Sequence, residues 1–257
     1  MAVISAVVLG LVEGITEFLP VSSTGHLILF NEWFSFAPEF TKTFDIVIQF
    51  GAILAVVAVF AKRFWPLNGS NLELWKRVIV SVFPALVFGA LFGSKIQEVL
   101  FNPTVVAFAL IVGGVILLAA EQLRRNESIT DVTKIGYGKA FVIGCIQCLA
   151  FIPGTSRSAA TIIGSMFLGT SRSTAAEYSF FLAVPTIAAA SVFSLLKHPI
   201  TLAGNDALIL GIGFVVAFIS SLVVIRLFLQ YIRNKTFAPF AYYRIVLGVI
   251  ILLFFAR

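Results

Sequence analysis

The feature of this sequence that most constrains its fold is a set of long apolar segments. Six of them approach the roughly 20 residues that a helix needs to cross a bilayer. We predict these spans at about 44–61, 78–94, 104–120, 177–196, 207–230 and 237–256. Charged residues make up 12% of the chain, against about 25% in soluble domains. Because the alternation typical of barrel strands is absent, the sequence predicts an all-α polytopic membrane protein.

The net charge of +6 raises the question of a nucleic-acid partner. The basic residues cluster at the ends of apolar segments, for example in a loop predicted over 62–77, and such clusters mark cytoplasmic loops and favour anionic lipid headgroups. The residues predicted on the cytoplasmic side are Lys62, Arg63, Lys76, Arg77, Arg124, Arg125, Lys134, Lys139, Arg226, Arg233 and Lys235. The expected partner is therefore the lipid bilayer and no nucleic acid. The oligomeric state stays open, a homodimer included.

Two regions, 1–40 and 138–172, depart from the spanning pattern. Each contains apolar runs of about 10–14 residues interrupted by Pro and Gly, a length that indicates re-entrant segments. Broken helices at membrane depth are tolerated where they line a protein cavity. We therefore predict two re-entrant helix–turn–helix hairpins in addition to six transmembrane helices.

The two interrupted regions also resemble each other. The matching pairs are Gly10–Glu13 with Gly144–Gln147, and Pro20–Ser23 with Pro153–Ser156. Paired Gly/Pro-interrupted segments in two halves point to a binding site at a repeat interface. We predict one membrane domain over 1–257, built as an inverted repeat of about 1–122 and 138–257. The two hairpin tips are expected to meet near the bilayer midplane.

The first predicted tip carries two carboxylates, Glu13 and Glu17. Carboxylates are costly in hydrocarbon, so a pair kept at membrane depth indicates a functional site. Their spacing of four residues places them on one helix face. There they can divide acid and base roles or hold a divalent cation, which prefers oxygen ligands.

A cluster of hydroxyl groups follows in the first tip: Ser22, Ser23 and Thr24. These residues either only cap a second helix that starts near Gly25 or also bind an anion at its N-terminus. His26 lies three residues after Ser23, which puts a proton acceptor close to Ser23 or Ser22, as the activation of a serine nucleophile requires. The combination favours nucleophilic chemistry over simple capping.

The second predicted tip supplies a positive charge. Arg157 offers a fork of donors that matches phosphate oxygens, and Gly154 lets the backbone approach a ligand closely. Thr155, Ser156 and Ser158 add further donors. The alternative is an arginine that snorkels to the interface, but its position directly after Pro-Gly favours the tip.

These motifs resemble those of the undecaprenyl-diphosphate phosphatase (bacitracin-resistance) family. The first signature, E-G-x-T-E-F-L-P-V-S-S-T-G-H, is present at Glu13–His26, and the second, P-G-x-S-R-S, at Pro153–Ser158. A third likeness is F-L-A-V-P at Phe181–Pro185. The resemblance covers nearly the whole chain, without a departure at the signature positions.

The resemblance implies a bacterial plasma-membrane hydrolase with its site open to the outer face. It would convert undecaprenyl diphosphate to undecaprenyl phosphate and inorganic phosphate, recycling the lipid carrier for peptidoglycan synthesis. It also implies a divalent cation, Mg²⁺ or Ca²⁺, and bacitracin resistance on overproduction. The rival class is a lipid transporter, since inverted repeats with paired broken helices are a transporter architecture.

The residue types suggest one set of roles in such a reaction. Arg157 would hold the diphosphate, because stabilising developing charge is the main need of phosphoryl transfer. Ser23 would be the nucleophile and His26 its base, with Glu17 orienting the histidine or sharing the proton. Glu13, alone or with Glu17, would hold the metal. His26 as nucleophile and an activated water stay open as alternatives.

Three further interpretations concern residues outside the motifs. Arg244 lies near the start of the last span, where we expect it to snorkel to the interface. Arg172 and Glu177 are expected to form an interfacial ion pair. Asp45, together with Gln49 one turn on, is expected to line the cavity.

Overall fold

A computed structural model describes residues 1–34, 36–123, 127–197 and 204–255. Arg124 and Arg125, predicted on the cytoplasmic side, lie outside the described residues. The helices of the first half are α1 (Ala2–Thr16), α2 (Ser23–Phe34), α3 (Pro38–Val59), α4 (Ala61–Phe64), α5 (Gly69–Leu100) and α6 (Pro103–Gln122). Those of the second half are α7 (Tyr137–Gln147), α8 (Arg157–Phe167), α9 (Arg172–Lys197), α10 (Asp206–Ile232) and α11 (Ala238–Phe254).

Within the described residues, five helices are long and apolar enough to cross a membrane, namely α3, α5, α6, α9 and α10. They correspond to the first five predicted spans, so the all-α polytopic prediction is confirmed. The sixth predicted span corresponds to α11, which has 17 residues and belongs with the shorter apolar helices. The protein is therefore a multi-pass membrane protein with at least these five spanning-length helices.

The loop predicted over 62–77 is wrong in its second half. The helix α5 begins at Gly69, after Asn68 in an extended conformation. Glu73 faces Lys76 and Arg77 at distances of 2.8 and 3.4 Å. These pairs lie three and four residues apart on the exposed start of the helix, where they support helix formation. The high density of charged residues favoured a loop in the sequence analysis, but these residues form the first turns of α5.

In the described residues, α1 and α2 are short helices that precede α3, α5 and α6, with the single-turn α4 as an addition, and α7 and α8 are short helices that precede α9, α10 and α11. The first short helix of each half packs against the other half: α1 contacts α10, and α7 contacts α5. The helices α6 and α11 pack along each other, and α3 contacts α9. The two halves therefore interlock, and each depends on the other to bury its short helices.

An ion pair ties α6 to the start of α9. Arg172 Nε lies 2.9 and 3.0 Å from the two carboxylate oxygens of Glu121, which also accepts the Phe237 backbone N–H at 2.7 Å. The predicted partner Glu177 is five residues away on the same helix, where the two side chains do not share a face. The Arg172–Glu177 prediction was therefore wrong.

Candidate active site

The turn between α1 and α2 places the first group of predicted residues. Proline at position 20 cannot donate a backbone hydrogen bond to continue α1. Ser22 adopts a positive φ of 70°, and its carbonyl accepts the His26 N–H at 3.4 Å. The second helix therefore begins at Ser23, with Ser22 before it and Thr24 half-buried in its first turn.

The turn between α7 and α8 has a closely similar ending. Ser156 has a φ of 71°, and its hydroxyl caps α8 by accepting the Ala159 N–H at 3.2 Å. The backbone thus pairs Ser156 with Ser22, and Arg157 with Ser23. The sequence alignment had paired Ser156 with Ser23, because the second turn has one more residue between its proline and its cap.

The extra residue of the second turn sits where glycine is required. Gly154 has a φ of 90°, and a Cβ there would lie 2.4 Å from the Val106 carbonyl oxygen. A side chain would meet both backbone strain and a clash. Thr155 follows, and its N–H donates to the Ile152 carbonyl at 3.1 Å. Gly154 therefore lets the second tip lie directly against α6.

The two tips meet at Glu17. One carboxylate oxygen accepts a hydrogen bond from Arg157 Nη2 at 3.0 Å, and the other accepts from the Ser23 hydroxyl at 2.8 Å. The side chains of Arg157 and Glu17 are 10% and 9% exposed. Three predicted site residues from two distant segments are thus joined in one largely buried cluster.

The second tip is further held by hydroxyl groups. Arg157 Nη1 donates to the Ser179 carbonyl at 2.9 Å, and Thr161 donates to the Ser179 hydroxyl at 2.7 Å. Ser158 lies 2.9 Å from the Ser156 hydroxyl and donates across to the Leu19 carbonyl at 2.8 Å. Among the described residues, the buried Nε of Arg157 has no hydrogen-bond partner. The guanidinium is therefore held through Nη1 and Nη2, and its Nε is an unused donor.

Glu13 is fully buried one helical turn before Glu17. Neither of its carboxylate oxygens has a hydrogen-bond partner in the described parts of the chain. Glu17 and Asp45 are close enough to interact with it electrostatically. An orphaned buried carboxylate is costly unless a proton or a cation compensates it. Glu13 is therefore suited to hold a cation, although no group of three ligand side chains is assembled among the described residues.

His26 does not contact Ser23 in the way that the sequence suggested. Its Nδ1 lies 2.8 Å from the Ser22 carbonyl oxygen, and its Nε2 lies 2.7 Å from the Tyr243 hydroxyl. The Ser23 hydroxyl is directed at Glu17 instead. Tyr243 was missed by the sequence analysis, because nothing in a Tyr-Tyr-Arg segment of an apolar helix indicates a partner 217 residues earlier.

Arg244 is fully buried, so the prediction that it snorkels was wrong. Its guanidinium donates to carbonyl oxygens of both turns: Pro20 at 3.3 Å, Gly154 at 3.2 Å and Thr155 at 2.8 Å. A fourth acceptor is Ala109 of α6 at 3.3 Å. An arginine two turns inside an apolar helix is itself a signal of a buried role. Arg244 therefore links the two tips through their backbone carbonyl groups.

Comparison with known proteins gives matches over almost the whole chain. The model of the family described as "Bacitracin resistance protein BacA" matches residues 6–250. The chain is 48% identical to Undecaprenyl-diphosphatase 1 of Clostridioides difficile (strain 630), over 99% of this chain and 97% of that protein. It is 45% identical to Undecaprenyl-diphosphatase 3 of Acinetobacter baylyi, over 96% of each chain. Undecaprenyl-diphosphatase 2 of Pseudomonas fluorescens (strain Pf0-1) is 43% identical, over 98% and 93%.

Proposed function

Because this chain belongs to the bacitracin resistance protein BacA family, we propose that it is a membrane undecaprenyl-diphosphatase. It hydrolyses undecaprenyl diphosphate to undecaprenyl phosphate and inorganic phosphate, and so recycles the lipid carrier used in peptidoglycan synthesis. The observation that carries the proposal is the cluster of Glu17, Ser23 and Arg157 at the meeting of the two tips. It combines a hydroxyl nucleophile, a proton acceptor and a phosphate-binding guanidinium.

Arg157 is the binding and charge-stabilising group. A guanidinium presents two parallel donors to phosphate oxygens, and here it is anchored by the Ser179 carbonyl. The substrate's terminal phosphate would compete with Glu17 for Nη2 and would also find the unused Nε. Binding would thus release Glu17 from its ion pair and leave its carboxylate available to accept the Ser23 proton.

Ser23 is positioned as the nucleophile. Its Oγ would attack the terminal phosphorus while the bond to the bridging oxygen breaks, so that undecaprenyl phosphate leaves with that oxygen. Glu17, which already accepts the Ser23 hydrogen bond at 2.8 Å, would take the proton. Water would then hydrolyse the phosphoserine and return a proton to the Ser23 oxygen. Direct attack by a water held at the same carboxylate is the alternative course.

The residues present fit a divalent cation, Mg²⁺ or Ca²⁺. Glu13 and Glu17 would supply carboxylate oxygens, the ligand type that both ions prefer, and the unpartnered oxygens of Glu13 support this assignment. The substrate's phosphates would complete the coordination, as is usual for Mg²⁺. The cation would neutralise the charge of the diphosphate.

The membrane arrangement that we propose is six transmembrane helices with two re-entrant hairpins in an inverted repeat. The four hairpin helices have 15, 12, 11 and 11 residues, or about 17–23 Å at 1.5 Å per residue, short of the hydrocarbon thickness of about 30 Å. The helix α11 would be the sixth transmembrane helix. Because it is the shortest of the six, it would tilt least from the membrane normal. The protein would lie in the bacterial plasma membrane, with the site open to the outer face and the prenyl chain among the helices.

The test is phosphate release from undecaprenyl diphosphate by the purified protein in detergent, with and without a chelator. Wild type should release phosphate only with divalent cation, and Arg157→Ala and Glu17→Gln should each lose about a thousandfold of the activity. Absence of release from folded wild type that still binds the lipid would contradict the proposal and favour a lipid transporter.

A further inference from the structure

The hydrogen bonds of His26 determine where its proton lies. Its Nδ1 is 2.8 Å from the Ser22 carbonyl oxygen, which only accepts. Nδ1 must therefore carry a proton. In a neutral imidazole the other nitrogen, Nε2, then holds a lone pair. The Tyr243 hydroxyl, 2.7 Å away, donates to that lone pair.

The surroundings keep the ring in this orientation. His26 is 5% exposed, and the rings of His26 and Tyr243 are nearly parallel, with an angle of 6° between their planes and a distance of 5.5 Å between their centroids. The acceptor at the other end belongs to Ser22, whose positive φ is part of the turn. The imidazole is therefore held between a rigid turn and α11, and cannot rotate toward Ser23 without breaking both bonds.

α11 makes a second, adjacent contact with the same hairpin. Arg244, the residue after Tyr243, donates to the Pro20 carbonyl on the other side of the first turn. Tyr243 and Arg244 thus hold the turn at both ends, at Ser22 through His26 and at Pro20 directly. The position of α11 determines the geometry of the tip that carries the nucleophile.

We propose that Tyr243 is a positioning residue of this site, which holds His26 as the Nδ1–H tautomer with its Nε2 lone pair engaged. Glu17 and not His26 is then the proton acceptor for Ser23. The kinetic consequence rests on the proposed phosphatase activity, whereas the tautomer does not. The neutral His26 side chain links α11 to the turn through its two hydrogen bonds.

The experiment is ¹⁵N NMR of the histidine side chain in the detergent-solubilised protein. The chain has two histidines, His26 and His198, so a His198→Gln background leaves the His26 signals alone. We expect a protonated Nδ1 and a hydrogen-bonded, unprotonated Nε2. In Tyr243→Phe the Nε2 resonance should move downfield as the donor is lost, while the Nδ1 signal stays. The kcat for phosphate release should fall about tenfold, in keeping with one lost hydrogen bond.

Tyr242→Phe is the matched control, since Tyr242 is 61% exposed on the same helix and should change neither signal nor kcat. A protonated Nε2 in wild type would overturn the proposal. So would a Tyr243→Phe variant whose Nε2 shift or kcat equals that of Tyr242→Phe. If the shifts are as expected but wild type releases no phosphate, the proposed function fails and the tautomer assignment stands.

Discussion

The two hairpins have similar backbones but carry different functional groups. Each is a short helix, a turn that ends in a serine at a φ near 70°, and a second short helix. After that serine the first hairpin has Ser23 and the second has Arg157. The first hairpin also carries Glu17, and its hydroxyl and carboxylate face the guanidinium of the other. The two hairpins therefore share a backbone arrangement, and their different side chains at single positions form a site that neither half contains alone.

The sharpest way to break this division of roles is to change the one charge of the second tip. Arg157→Lys keeps the positive charge but removes the planar fork that reaches Glu17 and Ser179 together. We expect kcat/KM to fall about a thousandfold, since an arginine and a lysine are not interchangeable at a two-partner site. Phosphate release from undecaprenyl diphosphate gives the value.

The control for this prediction is Arg233→Lys, because Arg233 is exposed at the end of α10 and should tolerate the change. An Arg157→Lys enzyme within threefold of wild type would show that the second tip contributes charge alone. The two hairpins would then differ less in chemistry than their contacts indicate.

Arg244 tests whether the hairpins depend on each other for stability. Arg244→Met leaves carbonyl oxygens of both turns, at Pro20, Gly154 and Thr155, without their donor. Each unsatisfied buried group costs about 1–3 kcal/mol, offset in part because the charge itself is no longer buried. We expect the free energy of unfolding to fall by about 3 kcal/mol in a mixed-micelle SDS titration.

The exposed Arg226 of α10 provides a comparison, and Arg226→Met should change stability by less than about 0.5 kcal/mol. A gentler variant is Gly113→Ala, whose Cβ would lie 2.1 Å from Arg244 Nη2 and should shift the guanidinium. Equal stability of Arg244→Met and Arg226→Met would mean that the tips do not need this donor.

The contrast between the motifs and α11 shows what could be predicted from the sequence. Spans follow from local hydropathy, and costly polar groups at Pro/Gly breaks identified Glu17, Ser23 and Arg157 as a candidate site. Tyr243 and Arg244 could not be placed in this way, because the groups that they contact in the first hairpin, His26 and the Pro20 carbonyl, lie more than 200 residues earlier in the chain. The structural equivalence of Ser22 and Ser156 could not be predicted either. The second turn is one residue longer than the first, and this shifts the alignment of the two hairpins without changing the motif.

The first helix of each hairpin packs closely against a helix of the other half. The helix α7 approaches α5 so closely that a Cβ at Gly144 would lie 2.1 Å from the Ser81 carbonyl oxygen. In the first hairpin a Cβ at Gly10 would lie 2.8 Å from the Gly213 carbonyl oxygen of α10. We expect Gly144→Ala to cost about 2 kcal/mol and Gly10→Ala about 1 kcal/mol, in the range for overpacking.

Gly138 is a control on α7 itself, since a Cβ there would meet nothing within 4 Å. Gly138→Ala should be neutral or stabilising by up to about 1 kcal/mol, because alanine favours a helix more than glycine. The same SDS titration measures all three variants. If Gly144→Ala were as stable as Gly138→Ala, the α5–α7 contact would be looser than described.

The smallest expected effect on stability is at Glu13 of α1, where stability and activity should change in opposite directions; Gln147 of α7 provides the comparison. Glu13 and Gln147 occupy matching sequence positions and are 0% and 1% exposed. The second hairpin thus uses a neutral amide where the first has a carboxylate with no hydrogen-bond partner among the described residues. We expect Glu13→Gln to raise the free energy of unfolding by about 1 kcal/mol, since it removes a buried, unpaired carboxylate.

The same variant should lower phosphate release about tenfold and raise the divalent cation concentration needed for half-maximal rate, because an amide is a weaker cation ligand than a carboxylate. Gln147→Glu is the reverse exchange and should destabilise the protein by about 1–2 kcal/mol, since the new carboxylate would be buried, with the Thr186 hydroxyl within hydrogen-bond distance. Its dependence on cation should stay that of wild type. If Glu13→Gln left the cation requirement unchanged, the orphaned carboxylate would be compensated by a proton, and Glu17 alone would be left to face the cation.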